Sequence, residues 1–123
     1  MKSANSPVLA GAKKFEKIKN RILGKKYELS LVFTANSLMR RLNRIYRGQD
    51  LPTNVLAFPL SKTSGEIFIN PSRAKPWNVE QLLIHALLHL KGMKHGRKME
   101  QAEKKYLNGT SNRSRYRYRN FRD

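Results

Sequence analysis

The spacing of apolar positions changes repeatedly along the chain, and each change marks a new element. Between Lys13 and Leu23, Phe15, Ile18 and Ile22 recur every three to four residues, which predicts a helix that Gly24 ends. "YELSLVF", residues 27–33, alternates and is rich in strand formers, so it reads as a strand. A second helix follows, capped by Thr34 or Asn36, with Leu38, Leu42, Ile45 and Tyr46 on one face and Gly48 at its end. "QDLPT" is a turn. "NVLAFPL" and "GEIFIN" are then two short strands joined by the loop "SKTSG". Pro59 has no N–H to give a ladder, so its strand is expected at an edge or to carry a bulge.

The next helix carries the strongest local signals. Asn78 is a good N-cap, and Gln81 three residues later completes a capping-box pattern. Trp77 before the cap and Leu82 after it are placed for a hydrophobic staple. Val79, Leu82, Leu83, Ala86, Leu87 and Leu90 share one face, while Ile84 and Leu88 lie elsewhere. A helix apolar nearly all round belongs at the centre of a domain. A last helix from about Arg97 to Leu107 turns Met99, Ala102 and Tyr106 inward. Helices and strands thus interleave around one buried helix, giving an α+β or α/β domain with a small sheet over residues 1–109. Residues 110–123, polar and Arg-rich, are expected to form a flexible tail.

The buried helix also holds chemistry. "HALLHLKGMKH" contains all three histidines of the chain, His85, His89 and His95. Residues four apart lie one above the other on a helix, so His85 and His89 offer two ring nitrogens from one face. Gly92 can take the left-handed conformation that ends a helix and turns the chain, bringing His95 back as a third ligand. Three nitrogens with a fourth position open is the catalytic pattern for zinc, not the structural one. A lone histidine on an apolar helix is ordinarily a core residue, but here three fall where ligation needs them. Zinc peptidases with this frame carry Glu directly after the first histidine as general base. Ala86 stands there, which speaks against that chemistry.

Charge narrows the partners. Twenty-six Lys and Arg against eight Asp and Glu give a net +18. So basic a surface suits a polyanion, nucleic acid first and anionic membrane second. No apolar run is long enough to span a bilayer, and the patch from Val8 to Ala12 is too short for a secretory signal. The absence of cysteine excludes a disulfide framework and fits a cytoplasmic protein. Arg40, Arg44 and Arg47 recur at helical spacing beside Arg41, as a phosphate-tracking stripe or a solvated face. In the tail, Arg113, Arg115, Arg117, Arg119 and Arg122 interleave with Tyr116, Tyr118 and Phe121. Such a segment pairs phosphate neutralisation with stacking faces for unpaired bases, or else merely solubilises.

Taken with the histidine frame, "LNRIYRGQDLPTNVLAFPL" resembles the YbeY endoribonucleases, metal-dependent proteins of bacterial ribosome biogenesis. "GEIFIN" and "MEQAEKKYL" fall in the family's order, so the likeness runs from about Tyr27 to Leu107. The resemblance implies an α+β fold with a small mixed sheet against helices and the metal on the buried helix. It implies single-strand-specific RNA cleavage in the maturation of ribosomal RNA, particularly the 3′ end of the small-subunit RNA. Partners would be the RNA precursor, the small ribosomal subunit and its assembly factors. The family's ligands map onto His85, His89 and His95, with one divalent transition metal, zinc by expectation, and its functional arginine onto Arg47. Ala86 stands where the family has Gly, Met93-Lys94 where it has Tyr-Asp, and Glu66 where it has Asp. Those departures keep an alternative open, an RNA-binding assembly factor with weak or lost catalysis.

Overall fold

The computed structural model describes residues 12–108. It contains α1 (Ala12–Leu23), β1 (Glu28–Phe33), α2 (Asn36–Arg47), β2 (Val55–Ser61) and β3 (Ser64–Ile69). A single 3-10 turn (Pro71–Arg73) then leads into α3 (Val79–Leu90) and α4 (Arg97–Asn108). The expected tail, residues 110–123, lies outside the described residues.

The three strands form one mixed sheet in the order β1-β3-β2, with β1 parallel and β2 antiparallel to β3. Alternation along the strands sets two faces. Leu29, Leu31, Val55, Ile67 and Ile69 point to one side, where they join Leu82, Leu83, Ile84 and Leu87 of α3 in the main core. Every residue of α3 from Glu80 to Leu88 is buried, which explains the apolar composition all round it. Ile18 and Ile22 of α1 and Met99 and Leu107 of α4 complete this layer. Lys14 of α1 reaches Glu80 in the first turn of α3 at 2.6 Å, a position where the helix dipole also favours a carboxylate.

α2 covers the opposite face. Tyr46, in its last turn, meets Phe58, which alternates away from the main core. Val32, Leu56 and Met39 are buried on this side, outside the main cluster. The helix is not capped by Thr34 or Asn36 as the sequence suggested: Ala35 is the N-cap and makes no side-chain cap bond. The reason is competition for the Asn36 side chain. Its Oδ1 accepts from Asn70 Nδ2 at 2.7 Å and from Ser72 Oγ at 3.3 Å. Thr34 instead extends the β1 pairing, donating its N–H to the Ile69 carbonyl. Gly48 ends α2 at φ 70°, as expected.

The β2–β3 connection is tighter than "SKTSG" implied, with only Lys62 and Thr63 between the strands. Pairing there closes on a register shift between Pro59 and Ser61, the irregularity that a proline on an edge strand calls for. Gly65 sits where no side chain fits. A Cβ there would collide with the Tyr27 hydroxyl and come within 3.0 Å of Leu90 at the end of α3. The C-terminal end of α3 therefore lies directly under the hairpin end of the sheet.

Candidate metal centre

The helix that carries the site is fixed at both ends by its own sequence. At the start, Gln81 N–H donates to Asn78 Oδ1 at 2.7 Å and Asn78 N–H to Gln81 Oε1 at 3.0 Å, the full capping box. At the end, Gly92 adopts φ 103° and donates to the His89 carbonyl, while Met93 N–H reaches back to Leu88. This pair of bonds is the Schellman motif, which reverses the chain. Met93 then packs partly buried against the core, and His95 is carried back over the last turn of α3.

The three histidines converge. Nε2 of His89 lies 3.1 Å from Nε2 of His85 and 3.1 Å from Nε2 of His95, and the remaining pair is 3.4 Å apart. Among the described residues they form the group able to hold a metal ion. The donor set fits one. Nitrogens about 2.0–2.1 Å from a tetrahedral zinc are about 3.3 Å from each other, close to the separations seen. Exposure rises across the triad, from His85, 1% exposed, through half-buried His89 to exposed His95. The site thus has a closed floor and an open side.

Glu103, which the sequence reading passed over, decides how His85 is used. It is 5% exposed on α4, and its Oε2 lies 2.5 Å from His85 Nδ1. A carboxylate can only accept, so the shared proton belongs to Nδ1 and the Nε2 lone pair points at the triad. Orientation of a histidine ligand by a carboxylate on its other nitrogen raises ligand basicity and fixes the ring. The spacing Met99, Glu103, Leu107 puts Glu103 on the inward face of α4, a signal that was present in the sequence. Ala86, the residue after the first histidine, is packed in the core and offers no base. Lys94 is exposed, so the support found for the triad comes from α4 and not from the residue before His95.

The family model described as Endoribonuclease YbeY matches residues 2–113. The chain belongs to the YbeY family. A relative from Rubrobacter xylanophilus, named Endoribonuclease YbeY, is 39% identical over 80 residues, covering 62% of this chain and 58% of that protein. Another of the same name from Thermodesulfovibrio yellowstonii is 34% identical over 102 residues, covering 64% of each. The chain therefore spans under two thirds of the length of these curated relatives. The solution structure of TM1509 from Thermotoga maritima is similar with a TM-score of 0.55 and 28% identity, covering 87% of both chains.

The arginines read as an RNA stripe all lie on α2. Arg47 ends α2 half-buried, next to Tyr46, whose ring meets Phe58. Arg40 is engaged by Asp50, Nε to Oδ1 at 2.8 Å and the second nitrogen to Oδ2 at 3.1 Å. Arg44 approaches Asp50 at 3.9 Å, and Arg41 is exposed. Hydrogen bonding from Arg40 holds the Asp50 carboxyl below the usual carboxylate range, and the same pairing raises Arg40. The "QDLPT" turn is also tied by Asn43 Nδ2 to the Leu51 carbonyl and by buried Asn70 to the Thr53 carbonyl. Much of the motif that carries the family likeness is therefore a braced connection between α2 and β2. The tail residues Arg113, Arg115, Tyr116, Arg117, Tyr118 and Arg119 lie outside the described residues. No described helix is long and apolar enough to cross a membrane.

Proposed function

We propose that this protein is a metal-dependent endoribonuclease cutting single-stranded regions of ribosomal RNA precursors, with the 3′ end of the small-subunit RNA as its main target. The observation that carries the reading is the convergence of three Nε2 atoms within 3.4 Å, on a half-open site, in a chain of net charge +18. The relatives' shared name, Endoribonuclease YbeY, supports RNA as the substrate. Zinc is the proposed metal: three neutral nitrogens suit it, although the same set accepts other first-row ions and availability selects among them. When bound, such an ion supplies Lewis acidity toward a phosphoryl oxygen and lowers the pKa of water.

The chain's own groups do the rest. His85, His89 and His95 hold the ion, and Glu103 keeps His85 in the ligating tautomer. Arg47 is proposed to contact the scissile phosphate or its neighbour, where a guanidinium stabilises developing charge. Arg41, Arg44 and the basic tail would follow the backbone on either side, with Arg40 contributing once released from Asp50. Action in the cytoplasm on the small ribosomal subunit and its assembly factors belongs to the same proposal.

Cleavage of a labelled single-stranded precursor fragment tests this, read beside metal content. Wild-type protein should carry about one transition metal per chain and cut the strand. His89→Ala should lose both while still binding RNA, and Arg47→Ala should keep the metal and lose cutting. RNA affinity should fall steeply between low and physiological salt, because many cations release counterions. A chain that binds RNA and holds metal but never cuts would leave the assembly-factor alternative in its place.

A further inference from the structure

The end of the sheet that lies over the histidines bears, on its other face, an apolar ledge that neither the core nor the triad uses. Its outermost member, Tyr46, is 63% exposed. The Tyr46 ring meets Phe58 edge-on, with centroids 5.0 Å apart and planes at 60°. Phe58 meets Phe68 in the same manner at 5.8 Å and 77°. Three rings thus climb from the sheet to the last turn of α2, the lower two half-buried and the outermost open to solvent. Each ring rests edge-on against the one beneath it, so the exposed ring is supported on one side.

Position links this ledge to the metal centre. Phe58 is paired with Glu66 and Pro59 with Gly65. The far side of Gly65 faces Leu90, the neighbour of His89. The ledge and the triad therefore occupy the same end of the sheet on opposite faces, and β2, an edge strand, is what separates them. A flexible strand can pass over that edge from one to the other. A duplex, whose bases are stacked inside it, presents no base face to a ring.

Charge selects the occupant. Arg47 adjoins Tyr46, Lys62 lies in the turn beyond Leu60, and neither is ion-paired with a described residue. Glu66 on the same face is partly masked by Ser30, whose Oγ donates to it at 3.3 Å. We propose that Tyr46, braced by Phe58, is a stacking platform for an unpaired base of an RNA strand that crosses the β2 edge toward the histidines. The flanking phosphates meet Arg47 and Lys62. The platform rests on the ribonuclease reading above and gives it a physical source of single-strand preference.

The test uses the full, metal-loaded chain and three cleavage-resistant 2′-O-methyl probes: a single strand, the same backbone without bases, and a duplex. Tyr46→Leu keeps the apolar contact with Phe58 and removes the aromatic face, and Tyr46→Phe restores it. Base–aromatic stacking is large enough that the leucine variant should bind the single strand at least about fivefold more weakly. It should bind the abasic and duplex probes as wild type does, with metal content and thermal midpoint unchanged, and Tyr46→Phe should match wild type. Equal losses on all three probes, or none, would overturn the platform. A leucine variant with unchanged RNA binding that changes from oligomer to monomer would also overturn it, giving the ledge to a second copy of the chain. Wild type that binds no probe at all would fail the ribonuclease reading itself, an outcome distinct from a wild type that binds RNA with Tyr46 irrelevant.

Discussion

Removing the Glu103 carboxylate leaves all three histidines in the chain and takes away only what aims the first of them. In Glu103→Ala, the buried His85 Nδ1 loses an acceptor 2.5 Å away, in a place where His85 is 1% and Glu103 5% exposed. Leaving a buried donor unmatched costs about 1–3 kcal/mol, so the metal-free protein should melt lower. The imidazole is then free to rotate or to put its proton on Nε2, the atom that must ligate. Loss of such a partner typically weakens metal affinity about 10–100-fold, equivalent to about 1.4–2.8 kcal/mol. Glu103→Gln keeps an oxygen that can accept from Nδ1 and should fall between alanine and wild type. Affinity is read by competition against a chelator of known strength, with circular dichroism and melting of the metal-free proteins as the control for folding. A folded Glu103→Ala protein that holds metal as tightly as wild type would refute the argument that α4 orients the site.

Other outcomes follow from the packing. Gly65→Ala should destabilise by about 1–3 kcal/mol in denaturant titration, because the new methyl meets the Tyr27 hydroxyl and Leu90. Tyr27→Phe in the same chain should recover part of that loss. Burial of Tyr27 pushes its pKa up, and its hydroxyl has no hydrogen-bond partner among the described residues, so little is lost with it. Lys19, buried within α1, reaches past the helix end and donates to the carbonyls of Gly24, Lys25 and Tyr27 at 3.2, 3.3 and 3.0 Å. Lys19→Met should lower stability by about 1.5–3 kcal/mol, and an unchanged denaturation midpoint would show the three contacts to be idle. Asp50 is held below its ordinary pKa, so its contribution is present above the usual carboxylate range and is lost as pH falls through the folded value. The melting difference between wild type and Asp50→Asn should therefore be small at neutral pH, as an exposed pair dictates, and vanish in acid. A difference that grows in acid would contradict the assignment.

The chain by itself determined the elements and the gathering of the three histidines, because both depend on local spacing. The capping box at Asn78 and Gln81 and the left-handed Gly92 are short-range devices, and each formed as its residues require. His85 and His89 share a helix face at any tertiary arrangement, and the Schellman turn returns His95 to them, so the triad was legible. Tertiary structure decided what no local spacing contains. The Asn36 side chain was diverted from capping by Asn70, thirty-four residues away, whose burial makes an unmatched amide costly. Spacing put Glu103 on the inward face of α4 with Met99 and Leu107, but that its partner is His85 was set only by the packing of α4 against α3. The arginine stripe, uniform in sequence, was divided by the fold: Arg40 and Arg44 turn to Asp50 in a braced loop, while Arg47 ends α2 half-buried and outside those ion pairs. Pairings between distant segments depend on which faces the core buries together, and only the packed chain sets that.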